Sequence, residues 1–298
     1  MRPPAQTAPL NRFTQTAQQV AGRVIKSYST SFGLATRLLG RRHRTHIRNI
    51  YALVRVADEI VDGVANAAGL SLEEQHEALD RYEHETHQAL RTGYSTDLVV
   101  HAFAHTARLA RIDESLTSPF FASMRSDLDG SARQTTYDQT AHANYVYGSA
   151  EVVGLMCLQV FLRTSRPTAD QLERLQHGAR QLGAAFQNIN FLRDLGDDTQ
   201  RLGRGYLGVS HAITDNERDM WVQTIRKQMH DAAQVTTLLP SDVRTAVRSA
   251  TGLFSELTNR VARTPAAQLH QSRIRVPDPV KLRIIGAAII ATQKERLR

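Results

Sequence analysis

The sequence predicts an all-α protein, and three observations carry that prediction. Apolar residues recur at three- and four-residue spacing through long stretches rich in Ala, Leu, Arg and Gln. Prolines are few, and Pro119, Pro167, Pro240, Pro277 and Pro279 fall mostly at the edges of those stretches. No strand-like alternation competes with the helical period.

Taken in order, an N-terminal segment over 1–12 carries no periodic pattern and reads as mobile, followed by one domain over 13–298. Helices are expected over 14–37 and 43–65. Ser71 followed by Glu74 has the capping-box spacing, in which each side chain satisfies an orphan amide of the other residue, and it opens a helix over 72–92. Helices over 95–110, 119–133 and 139–163 follow. Thr168 and Gln171 repeat the capping-box spacing ahead of 169–198, and helices over 214–236, 241–262 and 278–295 complete the set. The irregular stretches near 199–212 and 263–277 read as lids or substrate loops. There is no internal repeat of fixed length, and 298 residues suffice for one helical core around a cavity.

Composition narrows the function. With 41% hydrophobic and 22% charged residues, the chain can bury a sizeable core and is not disordered as a whole. The single cysteine, Cys157, excludes an intrachain disulfide and suits a reducing cytoplasm. The Met1-Arg2-Pro3-Pro4 start lacks the apolar core of a signal peptide. No run approaches the roughly 18 apolar residues of a spanning helix, Ile284–Ala291 being too short. A formal charge of +8 favours anionic partners: nucleic acid, acidic lipid headgroups or phosphorylated substrates, against a merely basic solvated surface. There is no glycine-rich phosphate loop, which argues against ATP or NAD chemistry, and no recognisable nucleic-acid-binding motif. His43, His46, His101 and His105 lack zinc spacing and read as surface histidines. The run Arg41-Arg42-His43-Arg44 reads either as a solvated face or as a contact for nucleic acid or lipid headgroups.

Two polar stripes on apolar helices are more specific. In YALVRVADEIVDG, Tyr51, Arg55, Asp58 and Asp62 stand at offsets 0, 4, 7 and 11 and share one face. In QNINFLRDLGDD, Gln187, Asn190, Asp194 and Asp198 stand at offsets 0, 3, 7 and 11 and share another. Like charges four residues apart repel, so each pair needs a counter-charge, and either pair alone reads as readily as an exposed or salt-bridged face. Two stripes of one design suit a site that holds hard divalent cations through oxygen ligands while substrate phosphates complete the coordination.

Those two segments resemble the aspartate-rich motifs of the squalene and phytoene synthase family. Three more stretches resemble its other elements in the same order: YSTSFGLAT (Ser29, Ser31, Phe32), NYVYGSAEVVGLM (Tyr145, Tyr147, Gly154) and RLGRGYL (Arg204, Tyr206, Leu207). Members of the carotenoid pathway, bacterial ones in particular, are the most similar in form. The resemblance implies an isoprenoid-synthase-type helical bundle around a central cavity. It also implies magnesium, with manganese as an alternative, held by Asp58, Asp62, Asn190, Asp194 and Asp198. Diphosphate contacts would come from Ser29, Ser31, Tyr51, Arg55, Gln187, Arg193 and Arg204, with Tyr145 or released diphosphate as proton acceptor.

The activity implied is head-to-head condensation of two geranylgeranyl diphosphates, through a cyclopropylcarbinyl diphosphate, to phytoene, without NAD(P)H. The alternatives are a C30 synthase acting on farnesyl diphosphate to give squalene or dehydrosqualene, and a non-catalytic protein of the same fold. Phe32, Leu155, Met156, Phe186 and Phe254 would serve either as cavity wall or as plain core. A water-insoluble product implies peripheral docking on the inner face of the membrane, and no nucleic-acid partner is expected. The sequence departs from the family pattern at Glu151, where glycine is common, at Gly208, where proline is frequent, by one extra residue between Asp198 and Gly203, and at Phe254, where some members place tyrosine.

Overall fold

A computed structural model describes residues 8–29, 31–133, 138–201, 213–269, 271 and 273–296; for 31, 32, 130–133, 196–201 and 296 it describes the backbone alone. Among the described residues the chain is helical throughout and has no strand. The helices are α1 (Ala8–Tyr28), α2 (Ser31–Arg37), α3 (Arg41–Val61), α4 (Val64–Ala67), α5 (Leu72–Thr92), α6 (Leu98–Ala110), α7 (Glu114–Arg133) and α8 (Gln139–Val146). A π turn over Tyr147–Glu151 joins α8 to α9 (Val152–Leu162). Then come α10 (Ala169–Arg201), α11 (Asp215–Gln234), α12 (Ser241–Arg263), α13 (Ala266–Leu269) and α14 (Asp278–Arg296).

Local chemistry accounts for the ends. Ser71 accepts the Glu74 amide at 3.2 Å while Glu74 takes the Ser71 amide at 2.7 Å, and α5 starts as expected. Thr168 and Gln171 make the same reciprocal pair at 3.1 and 3.3 Å. A third box, Thr214 with Glu217, opens α11. Gly63, at φ 110°, ends the α3 segment in a left-handed conformation open to glycine at little cost.

Several expectations need correction. The helix expected over 14–37 begins earlier, at Ala8, so part of the segment 1–12 is helical, and it breaks after Tyr28. Pro119 lies inside α7, which starts at Glu114. At the sixth position of the helix its missing N–H deprives the Ser115 carbonyl of its i→i−4 donor, a loss offset by the burial of Leu116, Phe120 and Phe121 around it. The continuous helix Gln139–Leu162 is long and apolar enough to cross a membrane by length and composition, which the search for apolar runs did not anticipate. In the fold it packs against α7, α3 and α10 as a core helix.

Two apolar cores form. One gathers Ala17, Leu53, Phe103, Phe120, Phe121 and Met156 from α1, α3, α6, α7 and α9. The other gathers Ile189, Leu192, Ile225 and Val261 from α10, α11 and α12. Phe103, Phe120 and Phe121 are fully buried, each contributing roughly 2–3 kcal/mol by area. Glycines set the spacing of the helices between the cores. A Cβ on Gly154 would meet the Ala179 carbonyl oxygen at 2.4 Å, and one on Gly183 would meet that of Ala150 at 2.5 Å. The α9 segment therefore lies backbone to backbone against α10.

Candidate active site

Between these cores lies a cavity of about 1010 Å³. Its wall is mostly apolar, including Val54, Val153, Leu182, Phe186, Leu253 and Phe254. Set into that wall are side chains from both polar stripes, Tyr51 and Arg55 of α3 and Gln187 and Asn190 of α10, together with Arg193 of α10. The strap between α13 and α14 adds Arg273 and Arg275, and Lys281 follows on α14. The fold thus brings Tyr51 and Arg55 of one stripe and Gln187 and Asn190 of the other to one cavity, while Asp58, Asp62 and Asp194 are not among its lining residues.

On α3, Arg55 pairs with Glu59 one turn on, approaches Asp58 at 3.9 Å, and lies over the Tyr28 ring at 4.8 Å. Tyr51 is half-buried and hydrogen-bonded to Ser29; burial pushes its phenol pKa up. Ser29 also accepts the Gly33 amide at 3.3 Å. Asp58 and Glu59 lie in the last turn of α3, Asp62 caps it, and no basic residue stands in that turn. Since the C-terminal end of a helix is itself negative, this cluster favours a cation.

On α10, Asp194 is held by two arginines. Arg193 reaches its two oxygens at 2.9 and 2.5 Å, and Arg273 places Nε 2.9 Å from Oδ1 and Nη2 3.3 Å from Oδ2. The sequence stripe gives no hint of Arg273, which lies 79 positions away on a stretch read only as a lid or substrate loop.

Two buried atoms test whether the site fits a metal with its diphosphate. Asn190 Oδ1 has no hydrogen-bond partner, and neither has Arg55 Nε. One is a hard oxygen ligand and the other a charged donor, and both residues line the cavity. Among the described residues no three acids converge by themselves. The site fits cations brought in with phosphate oxygens rather than a protein-only cage.

The remaining expected residues fall as follows. Asp58 and Asp62 stand at the end of α3, beyond the cavity wall described. Tyr145 is buried, donates its hydroxyl to Asp127 at 2.8 Å, and is not among the cavity-lining residues. The side chains of Ser31, Phe32 and Asp198, and all of Arg204, Tyr206, Leu207 and Gly208, lie outside the described residues. Phe186 and Phe254 stack at 3.8 Å in the cavity wall, whereas Met156 is wholly buried core and Leu155 packs against the same cluster. Cys157 lines the cavity, and burial pushes its thiol up to about 12, which disfavours the thiolate. Glu151 accepts Arg180 Nε at 2.6 Å, and that guanidinium lies 5.3 Å from the Tyr147 ring centre. The departure from glycine thus ties the π turn to α10.

Comparison with known proteins agrees with this architecture. A family model described as squalene/phytoene synthase matches residues 25–279. A phytoene synthase of Arthrospira platensis is 28% identical over 295 residues, covering 91% of each chain. The chloroplastic phytoene synthase 3 of Zea mays is 34% identical over 199 residues, which are 67% of this chain and 44% of that relative, so the chain spans less than half of the plant protein. Among solved structures, a dehydrosqualene synthase in complex with ligand superposes with a TM-score of 0.77 at 23% identity, covering 96% of this chain and 99% of that one. The squalene synthase HpnC from Alicyclobacillus acidocaldarius gives 0.68 at 19% identity, covering 84% and 94%. With members of both polar stripes on one cavity and a family model matched over residues 25–279, the chain belongs to the squalene/phytoene synthase family.

Proposed function

We propose that the chain is a magnesium-dependent prenyltransferase that joins two geranylgeranyl diphosphates head to head, through prephytoene diphosphate, to phytoene. The observation that carries the proposal is an apolar cavity into which cationic side chains converge from α3, α10 and the strap. The name of the Arthrospira platensis relative supports the C40 substrate.

Arg55 and Arg193 would hold diphosphate oxygens in pairs through their planar forks, with Gln187, Tyr51, Ser29, Ser31 and Arg204 orienting them. Asp58, Asp62, Asn190, Asp194 and Asp198 would hold magnesium, which when bound supplies positive charge to the departing diphosphates. The first diphosphate leaves with the C–O electron pair, and the double bond of the second chain captures the allylic cation. Proton loss closes the cyclopropane. Departure of the second diphosphate, rearrangement and a second proton loss then give the hydrocarbon. Two diphosphates and two protons leave and no hydride enters, so no nicotinamide cofactor is required. The bond from Tyr145 to Asp127 favours released diphosphate over that tyrosine as proton acceptor. The apolar wall keeps water from the cation.

Because the product is insoluble in water, we infer peripheral docking on the inner face of the membrane from the cytoplasm. Exposed Leu282 and Ile290 beside Arg283 and Lys294 on α14 support it. The deciding experiment incubates purified protein with labelled geranylgeranyl or farnesyl diphosphate, with magnesium or EDTA, with and without NADPH. A C40 hydrocarbon formed with magnesium and without NADPH is expected. A C30 product would keep the chemistry and change the substrate, and no turnover of either would leave the non-catalytic reading.

A further inference from the structure

The basic run at the start of α3 faces a second cleft, of about 500 Å³, where α1, α3, α6 and the end of α9 meet. Its lining includes Arg41, Arg42, His46, His105, Arg163 and Thr164, and among the described residues it shares none with the large cavity. The histidines here are not the surface groups the sequence suggested: His43 is wholly buried and His46 and His105 are half-buried, their rings stacked at 6.3 Å. The run is not simply solvated either. Arg42 grips Asp242 through Nε and Nη2 at 2.8 and 3.0 Å, and Arg44 caps the carbonyls of Arg37 and Leu39.

What remains is an excess of donors. Arg163 donates Nη2 to the Arg42 carbonyl at 2.5 Å, but among the described residues no carboxylate pairs with Arg163 or with exposed Arg41. Among the described residues, only Arg42 of the three guanidinium groups pairs with a carboxylate, Asp242, which also lies 3.4 Å from His43 Nε2. The three also crowd the first turn of α3, which holds no acid, at the end of the helix where its dipole disfavours positive charge.

Neutral donors point the same way. Thr164 Oγ1 accepts Arg42 Nη1 at 3.1 Å, leaving its own proton for an acceptor in the cleft. Thr106 Oγ1 accepts Asn49 Nδ2 at 2.9 Å and lies 2.9 Å from His46 Nδ1. Donation of the Thr106 hydroxyl proton to Nδ1 selects the tautomer that carries the imidazole proton of His46 on Nε2. Burial, reinforced by the charge of Arg163 and by His105 and His43, lowers the His46 pKa to about 4, and burial with Arg42 lowers that of Arg163. A bound anion would favour the charged form of both groups.

We propose that this cleft is a second anion site, separate from the large cavity, in which Arg41, Arg163, the Nε2–H of His46 and the Thr164 hydroxyl hold one phosphate group. Several donors converging from three directions suit the oxygens of a phosphate better than a carboxylate or chloride. The group is either the headgroup of an anionic phospholipid or a soluble phosphate.

The test uses the full chain with isotope-labelled histidine. The His46 Cε1–H signal, assigned with His46→Gln, is followed during titration with inorganic phosphate against chloride at matched ionic strength. Sedimentation with phosphatidylglycerol vesicles and with neutral phosphatidylcholine vesicles is measured in parallel. A saturable shift with phosphate alone identifies a soluble ligand; phosphatidylglycerol binding weakened in the variants identifies a headgroup. In either case Arg41→Gln and Arg163→Gln each weaken binding about tenfold, the scale of one charged hydrogen bond, and Arg55→Gln leaves this response unchanged. An unmoved His46 signal together with vesicle binding indifferent to Arg41→Gln would overturn the proposal. Arg41 is exposed, so that variant keeps its fold.

Discussion

The two polar stripes solve the same problem, carboxylates spaced along a helix that borders a cavity, in different ways. On α3 the counter-charge is local: Arg55 answers Glu59 and Asp58 within one turn of the same helix. On α10 it is shared between a neighbour and a distant partner, since Asp194 holds Arg193 and also Arg273. The first stripe is a property of one helix, whereas the second fastens a strap that carries two further cations of the cavity wall. A carboxylate on α3 should therefore matter only to chemistry, and one on α10 to chemistry and architecture together.

Asp58→Asn and Asp194→Asn separate these cases. Both should lower turnover of prenyl diphosphate by more than about a hundredfold, the scale of losing preorganised charge at the reacting group. Only Asp194→Asn should also speed amide hydrogen exchange over residues 273–276. Equal exchange in both variants would erase the distinction, and full turnover in either would refute the metal assignment. Arg273→Gln comes next: loss of one charge-assisted contact should raise KM about tenfold with a smaller change in kcat, and the strap should loosen as it does in Asp194→Asn. The smallest effect concerns the packing that sets the α10 stripe. Gly183→Ala pushes a Cβ to 2.5 Å from the Ala150 carbonyl oxygen and should cost about 1–3 kcal/mol in urea unfolding. Gly22→Ala, in α1 with nothing within 4 Å, should instead stabilise by about 0.5–1 kcal/mol.

Most helices were legible because their signals are local. α5 runs over Leu72–Thr92 as its capping box and periodicity require, and α10 opens behind Thr168 and Gln171 in the same way. The errors arose where tertiary context overrode a local rule. Pro119 has the pattern of a helix edge, yet α7 absorbs it, and the histidines of α3 and α6 are expected at the surface, yet packing buries His43 and His101 and half-buries His46 and His105, with threonine partners at His46 and His101. The stripes were legible as faces of two helices, and Arg55, Gln187, Asn190 and Arg193 do line one cavity. Arg273, Arg275 and Lys281 were not legible, because no periodicity links a strap to a helix so far away in the chain. Nor could spacing separate Phe186 and Phe254 from Met156, since an apolar residue on a helix face reads the same whether a cavity or a neighbour lies beyond it.

The stacked pair of Phe186 and Phe254, 18° from parallel, joins α10 to α12 across the wall of the cavity. Aromatic rings are soft donors of electron density that hold no lone pair able to form a bond to carbon. Tyrosine in place of Phe254 would add an oxygen nucleophile; phenylalanine does not. Under the proposed chemistry a carbocation passing such a wall would be attracted without being trapped, and the ending of its journey would be left to proton loss rather than to capture by the enzyme.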